Sequence, residues 1–330
     1  MANLLRGFEK IAESYTADSQ AVMINGDVLD VCRTFPNGTF QLIVSSPPYN
    51  LGKEYEKQVK LQKYLDWQKE ILQELVRVCH DQGSLVWQVG NFVDNGEVFP
   101  LDICFYPIFK ELGLKLRNRI IWHFDHGLHA SKRFSGRYEV LLWFTKSDDY
   151  VFNLDAVRIP SKYPGKRHYK GDKKGQFSGN PLGKNPSDFW AMMCQEWDEG
   201  IIDIPNVKSN HPEKTSHPCQ FPIELIERCV LALTNEHDAV LDPFGGVGSS
   251  LIAAVKHNRK CVMIDKEIEY INLAKERLAM FWNGHLKMRP LGKPLHKPSG
   301  NEKVAQMPLE WKQAQNDVIQ DKNNQQGVLF

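Results

Sequence analysis

The chain has 330 residues, 42% of them hydrophobic and 25% charged, and its formal net charge is +1. That composition fits a globular protein of one large domain with an insert, or of two small ones. It excludes a membrane span, since no apolar stretch approaches ~20 residues, and its balanced charge neither demands nor rules out a nucleic-acid partner.

The N-terminal "MANLLRGFEKIAESY" carries acids and lacks an apolar signal core, so no export is expected and the cytoplasm is the expected location. Seven cysteines are scattered without a CxxC pair, and the odd count fits reduced thiols better than a disulfide frame. The first strand signal is "QLIV" at 41–44, which "SSPPYN" at 45–50 stops. Pro47 and Pro48 have no amide hydrogen and fix their own φ, so the backbone is stiff and cannot continue a ladder. The carbonyls of Ser46 and Pro47 are then free to accept hydrogen bonds, and Tyr49 sets a flat ring beside them. A rigid turn closing a core strand is the plainer alternative.

Residues 61–82 have helical spacing, with Leu61, Leu65, Leu72, Leu75, Val76 and Cys79 near one face and Gly83 as a stop. "SLVWQVG" (84–90) predicts a strand, 101–113 a helix that holds Pro107, and "NRIIWHF" and "EVLLWFTK" (139–146) two buried strands. Trp67 and Trp87 are expected in the core. "HFDHGLH" offers His123, Asp125, His126 and His129 to a metal, but Gly127 and the adjoining strand break the helix such ligands would need. No metal is expected there; a loop beside a cleft is, together with Arg133 and Arg137. From about 148 to 212 the periodicity fades into Gly, Pro, Lys and Ser. Within it, 162–174 holds six Lys or Arg against one Asp, with Tyr163, His168 and Tyr169 interleaved. This is either a solvated loop or a surface for phosphates.

Regular structure resumes with a helix over 221–235, a strand "AVLDPF" (239–244), a helix over 249–258, a strand "CVMID" (261–265) and a helix over 266–282. In the last, Ile268, Ile271, Leu278 and Phe281 are spaced for burial. Strands alternating with helices predict a mostly parallel α/β sheet covered on both faces. Residues 284–330 are rich in Lys, Pro, Asn and Gln and are expected to be a largely disordered polar tail, with a short helix near Trp311.

"VLDPFGGVGSSLIAA" is a strand, a glycine-rich turn and a helix. Gly245, Gly246 and Gly248 let backbone pass close to a ligand. The turn lacks Gly-Lys-Ser/Thr, so it is no phosphate-gripping loop. The next strand ends in Asp265, an acid placed to bind the two hydroxyls of a ribose, or else to cap the following helix.

Together "SPPYN" and "DPFGGVGS" resemble the S-adenosylmethionine-dependent DNA amino-methyltransferases, and their order resembles the β class of that family. The resemblance runs through most of residues 22–280. It implies a Rossmann-like methyltransferase fold with a circularly permuted motif order, a catalytic domain over 1–283 and a basic target-recognition insert at about 148–212. It implies S-adenosyl-L-methionine as cofactor, held by Asp27 of "INGDVLDV", Lys214 and Thr215 of "EKTSHPCQFP", and Asp242, Phe244, Gly246, Gly248 and Asp265. It implies catalysis by Ser46, Pro47, Pro48 and Tyr49, and DNA contacts from Asn50, Arg133, Arg137, Lys166, Arg167 and Lys170. An exocyclic amine is a poor nucleophile because its lone pair is delocalised into the ring. Two rigid acceptors and a stacking ring would reshape a flipped-out base for alkylation.

Two departures bear on this reading. Val247 and Ser249 replace hydroxyl residues common in the family's turn, and "SPPY" replaces the acid-led "DPPY" of many adenine enzymes. Ser-led forms serve both adenine-N6 and cytosine-N4, so both bases stay open; Asn50 and "GKNPSDFW" (183–190) favour adenine. Related enzymes with an Asn-led motif methylate protein glutamine, which Ser46 and the basic insert disfavour. A DNA-binding protein without catalysis is a further alternative. The implied partners are double-stranded DNA, a cognate restriction endonuclease and a second copy of the chain.

Overall fold

In a computed structural model of the protein, residues 19–50, 52, 58–124, 127, 129–190, 204–208 and 211–293 are described. The elements run in chain order as β1 (Ala21–Asn25), α1 (Val28–Cys32), β2 (Phe40–Ser45), α2 (Leu61–Val78), β3 (Cys79–Val89), a hairpin of β4 (Asn91–Asp94) and β5 (Glu97–Pro100), α3 (Leu101–Glu111), β6 (Lys115–His123), β7 (Tyr138–Thr145), β8 (Phe189–Trp190), α4 (Ile223–Leu233), β9 (Ala239–Asp242), α5 (Ser249–Lys256), β10 (Lys260–Asp265) and α6 (Ile268–Trp282). Eight strands form one sheet in the order β1-β10-β9-β2-β3-β7-β6-β8. From β1 to β3 all neighbours are parallel; β7 runs antiparallel between β3 and β6.

The period-2 alternation of side chains decides what covers each face. Leu42, Val44, Val240 and Met263 point to one side, against Leu225 and Ile226 of α4, Leu251 and Ile252 of α5, and Ile271 and Leu278 of α6. Ile43, Leu85, Trp87, Leu241 and Val262 point to the other, against Val28 of α1, Ile71 and Leu75 of α2, and Phe105 and Phe109 of α3. Both faces are therefore dry, which is why the central strands read as unbroken apolar runs.

Four expectations change. The helix predicted over 61–82 ends at Val78, because Cys79 enters the sheet opposite Phe40 and an irregularity between Phe40 and Leu42 takes up the extra length of β3. The hairpin β4–β5 was not anticipated; its turn is Asn95–Gly96, both with positive φ (48° and 84°). Ile268, expected inside, is 51% exposed, because it begins α6 on the solvent side. The polar tail is expected from residue 284, yet Arg289 is buried and its amide donates to Glu213 at 3.1 Å, so this segment packs on the domain there. The expected helix near Trp311 lies outside the described residues.

Between β7 and α4 the described insert contains a short 3-10 turn at Leu154–Val157, the two-residue β8 and turns closed by backbone hydrogen bonds. No helix among the described residues is long and apolar enough to cross a membrane.

Candidate active site

The sheet changes winding direction between β9 and β2. From β2 the chain moves outward through β3, and from β9 it moves the other way to β10. In such sheets a crevice opens at the carboxyl ends of the two strands where the order reverses. Leu42 and Ile43 pair with Val240 and Leu241, so the "SSPPYN" and "DPFGGVGS" turns emerge side by side. Ser45 Oγ donates to Asp242 Oδ1 at 2.5 Å, and the Phe244 amide donates to that oxygen and to Ser45 Oγ, each at 3.2 Å. Burial pushes the Asp242 carboxyl up to about 6. Asp242 is thus the tie between the two motifs, set behind the site.

A cavity of about 280 Å³ lies over this seam. Its walls include Ser46, Pro47, Pro48 and Tyr49 from one turn, Phe244, Gly245 and Gly246 from the other, and Asp27 and Asp265 from the tips after β1 and β10. The Tyr64 hydroxyl donates to the Pro48 carbonyl at 2.7 Å, which anchors the proline turn to α2. Ser46 Oγ donates to the Tyr49 hydroxyl at 3.0 Å, leaving the oxygen of Ser46 to face the cavity.

At the other end Asp265 joins the glycine turn to the sheet. One of its oxygens accepts the Gly246 amide and the other the Glu267 amide, each at 2.9 Å. It therefore fixes the turn that leads into α6 and also faces the cavity. Gly246 and Gly248 have positive φ (50° and 77°), which a side chain would strain. A Cβ on Gly245 would meet Met263 at 2.7 Å. Gly248 packs against Ala274 and Met263, so it shapes the turn without lining the cavity. Arg277 donates to the Val247 carbonyl and holds the turn from behind. Asp27 caps α1 by accepting from Leu29 at 2.9 Å and keeps one face on the cavity. A pair of carboxylates beside a bare glycine turn, with the rings of Phe244 and Tyr270 close by, is an acceptor set suited to a nucleoside with a free ribose diol.

Other expected residues fall elsewhere. Asn50 is buried, has φ 60°, and its amide both donates to the Val59 carbonyl and accepts the Val59 amide at 2.7 Å, so it braces the chain. Lys214 donates to the His217 carbonyl at 2.7 Å, and Thr215 bonds Gln220 and the His217 amide. Neither lines the cavity; they fold the loop that puts His217 to Phe221 on its wall. Glu213 anchors that loop by accepting the Ile223 amide at 2.9 Å. Trp67, expected in the core, is a cavity wall that meets Phe244 edge to face; Trp87 is fully buried.

Arg133, Lys166, Arg167 and Lys170 are exposed, and Arg137 is half-buried. The Arg137 carbonyl accepts the amide of Phe124, a cavity residue, at 2.8 Å. Arg167 stacks on Phe177, 3.9 Å from the ring centre. Asp125 and His126 of the metal reading lie outside the described residues.

Sequence reasoning missed Gln88, Trp122, Phe124, Glu139 and Tyr270 as cavity walls. The available signal was a polar group inside an apolar strand, as in "SLVWQVG" and "YEVLLWF". Burial raises the Glu139 carboxyl to about 7, against the hydrogen bonds from Gln88 and Tyr49, and it raises Tyr49 well above the usual phenol range. Burial lowers His217 to about 4.

A rigid acceptor turn and a nucleoside-type turn in one cavity define a methyltransferase site for amino groups. The DNA methylase family of N6 and N4 enzymes matches residues 40–276, and the chain belongs to it. The Type II methyltransferase M.BglII of Bacillus subtilis is 45% identical over 82% of this chain and 72% of its own length. The DNA adenine methyltransferase YhdJ of Escherichia coli K12 is 29% identical over 84% of this chain and 89% of its own. The PvuII cytosine-N4-specific DNA methyltransferase shares the fold, with a TM-score of 0.60, 20% identity, and coverage of 81% of this chain and 93% of its own. Solved structures of this fold include complexes with S-adenosyl-L-methionine. The protein is a methyltransferase acting on amino groups of DNA.

Proposed function

We propose that the protein methylates the N6 amine of adenine at a specific sequence in double-stranded DNA. The supporting observation is the shared cavity at the β2–β9 seam, where the Ser46–Tyr49 turn and the Gly245–Gly246 turn face each other. Adenine is favoured over cytosine by the likeness to YhdJ, an adenine enzyme along nearly its whole length.

When bound, S-adenosyl-L-methionine supplies an electrophilic sulfonium methyl group. Asp265 and Asp27 take the nucleoside hydroxyls and base, and the Gly246 turn gives it room. Ser46 Oγ and the Pro47 carbonyl each accept one hydrogen of the target amine, which draws the nitrogen lone pair out of the ring plane. The X-Pro backbone holds these dipoles before the base arrives, so little reorganisation is needed. Tyr49 stacks on the flipped base; unstacking costs a few kcal/mol, and the ring returns ~1–3 kcal/mol.

The insert at about 148–212 is the target-recognition region, with Lys166, Arg167 and Lys170 on phosphates. Arg133 and Arg137 meet the duplex beside the cavity, next to Phe134, which is 99% exposed. The likeness to Type II enzymes supports a cognate endonuclease of the same recognition sequence, and the DNA substrate supports a cytoplasmic, nucleoid-associated location. A homodimer is tested by sedimentation with and without DNA.

Single-molecule sequencing of DNA from cells expressing the chain tests the reading. N6-methyladenine at one recurring motif is expected. N4-methylcytosine would overturn the choice of base, and unmodified DNA would overturn the function.

A further inference from the structure

One carboxyl at the catalytic end of the cavity, Glu139 on β7, has no part in the mechanism above. Its Oε2 accepts from Gln88 Nε2 and from the Tyr49 hydroxyl at 3.4 Å, and the Tyr49 oxygen in turn accepts from Ser46 Oγ at 3.0 Å. Resting on the methyltransferase reading, we propose that Glu139 is a positioning residue that sets the direction of this hydrogen-bond chain, so that Ser46 offers lone pairs and no proton to the target amine.

The argument is one of counting hydrogens. A carboxylate has none, so it only accepts. Tyr49 has one and spends it on Glu139. Its oxygen is left to accept, and Ser46 spends its single hydrogen on Tyr49. What remains on Ser46 Oγ is acceptor capacity, as amine activation requires. The Tyr49–Glu139 contact is the longest link, and such contacts tighten when substrate fills a site. Protonated Glu139 can donate instead. The chain then reverses, Tyr49 donates to Ser46, and the Ser46 hydrogen points at the amine, donor against donor.

Burial brings Glu139 to about 7, so the reversal falls in a working pH range. Facing it are Tyr49 from the turn after β2 and Lys208 from the far wall, while Tyr64 from α2 and Cys219 face Tyr49 in turn. β3 contributes Gln88 and β6 Trp122, neither titratable. Tyr138 precedes Glu139 on β7 and Arg137 lies just before the strand, with its guanidinium turned to His129.

The test is the single-turnover rate of methyl transfer to unmethylated genomic DNA at saturating S-adenosyl-L-methionine, from pH 5.5 to 8.5. In the wild type the rate should fall about tenfold per pH unit below ~7, the slope of a single proton. Glu139→Gln still accepts through its amide oxygen but cannot gain a proton, so this fall should vanish. Tyr49→Phe cuts the chain, so its rate should be lower throughout and lack the same limb. Asp242, at about 6, is present in every variant, so a limb due to it survives Glu139→Gln. A fall near pH 7 that persists in Glu139→Gln, or its absence from the wild type, overturns the proposal. No transfer by the wild type at any pH overturns the methyltransferase reading and this inference with it. Circular dichroism melts of each variant separate loss of fold from loss of orientation.

Discussion

Asp265 stands where the sheet, the glycine turn and the cavity meet. Its two oxygens accept the amides of Gly246 and Glu267, and its remaining lone pairs face the cavity. Hydrogen bonds to a charged acceptor contribute about 1.5–3 kcal/mol each. Asp265→Ala should therefore weaken S-adenosyl-L-methionine binding by about 10- to 100-fold, as read by calorimetry; unchanged affinity would remove Asp265 from the ribose role. Tyr49→Ala separates the two ends of the site. It should abolish methyl transfer while calorimetry still finds cofactor binding, and full activity would refute the stacking role. At this scale the sequence was legible where chemistry demands a residue type at a fixed place, as in the Ser-Pro-Pro-Tyr turn. It was illegible for Asn50, whose place just after Tyr49 suggested a DNA contact. Only the fold brings Val59 close enough to claim both ends of its amide.

Helix α4 and the segment after α6 are joined by buried charge. Glu224 accepts from Arg289 and, at 3.5 Å, from Arg228, and the Gly292 amide adds a third donor at 2.8 Å. Breaking one partner of a buried ion pair typically costs about 3–5 kcal/mol, because the other charge stays buried. Arg289→Leu should lose roughly that much stability in urea titration; an unchanged midpoint would make residues 284–293 an appendage. The insert makes the opposite kind of prediction. Lys166, Arg167 and Lys170 are exposed, so replacing all three by Ala should leave the melting temperature in place. DNA affinity should drop across all sequences, and the salt slope should become shallower by about one for each lost phosphate contact. An unaltered slope would deny the insert its phosphate role. Element positions followed from apolar periodicity, but their ends did not. Helix α2 stops at Val78 because Cys79 finds a strand partner in Phe40, a contact between residues far apart in the chain.

At the scale of the whole molecule, carboxyls and histidines among the described residues pull stability in opposite directions. Burial raises Asp242 to about 6 and Glu139 to about 7, so the folded state binds more protons than the unfolded chain and stability falls as pH rises through that window. Burial lowers His211 and His217 to about 4, so the folded state binds fewer protons and stability rises from about pH 4 to 6.5. Asp242→Asn removes one falling contribution, so its stability relative to wild type should rise with pH between about 4 and 6. Urea midpoints at three pH values decide this, and parallel curves would mean that Asp242 titrates alike in both states. The sequence by itself determined the class of fold, the two glycine- and proline-built turns and the chemistry each can support. These are local matters of backbone freedom, fixed dihedrals and apolar period. The tertiary structure alone decided that the turns share one cavity, that Asp242 stands behind it, and that Glu139 and Gln88 stand within it. Those facts depend on strand order, because β9 lies beside β2 only after the sheet has assembled.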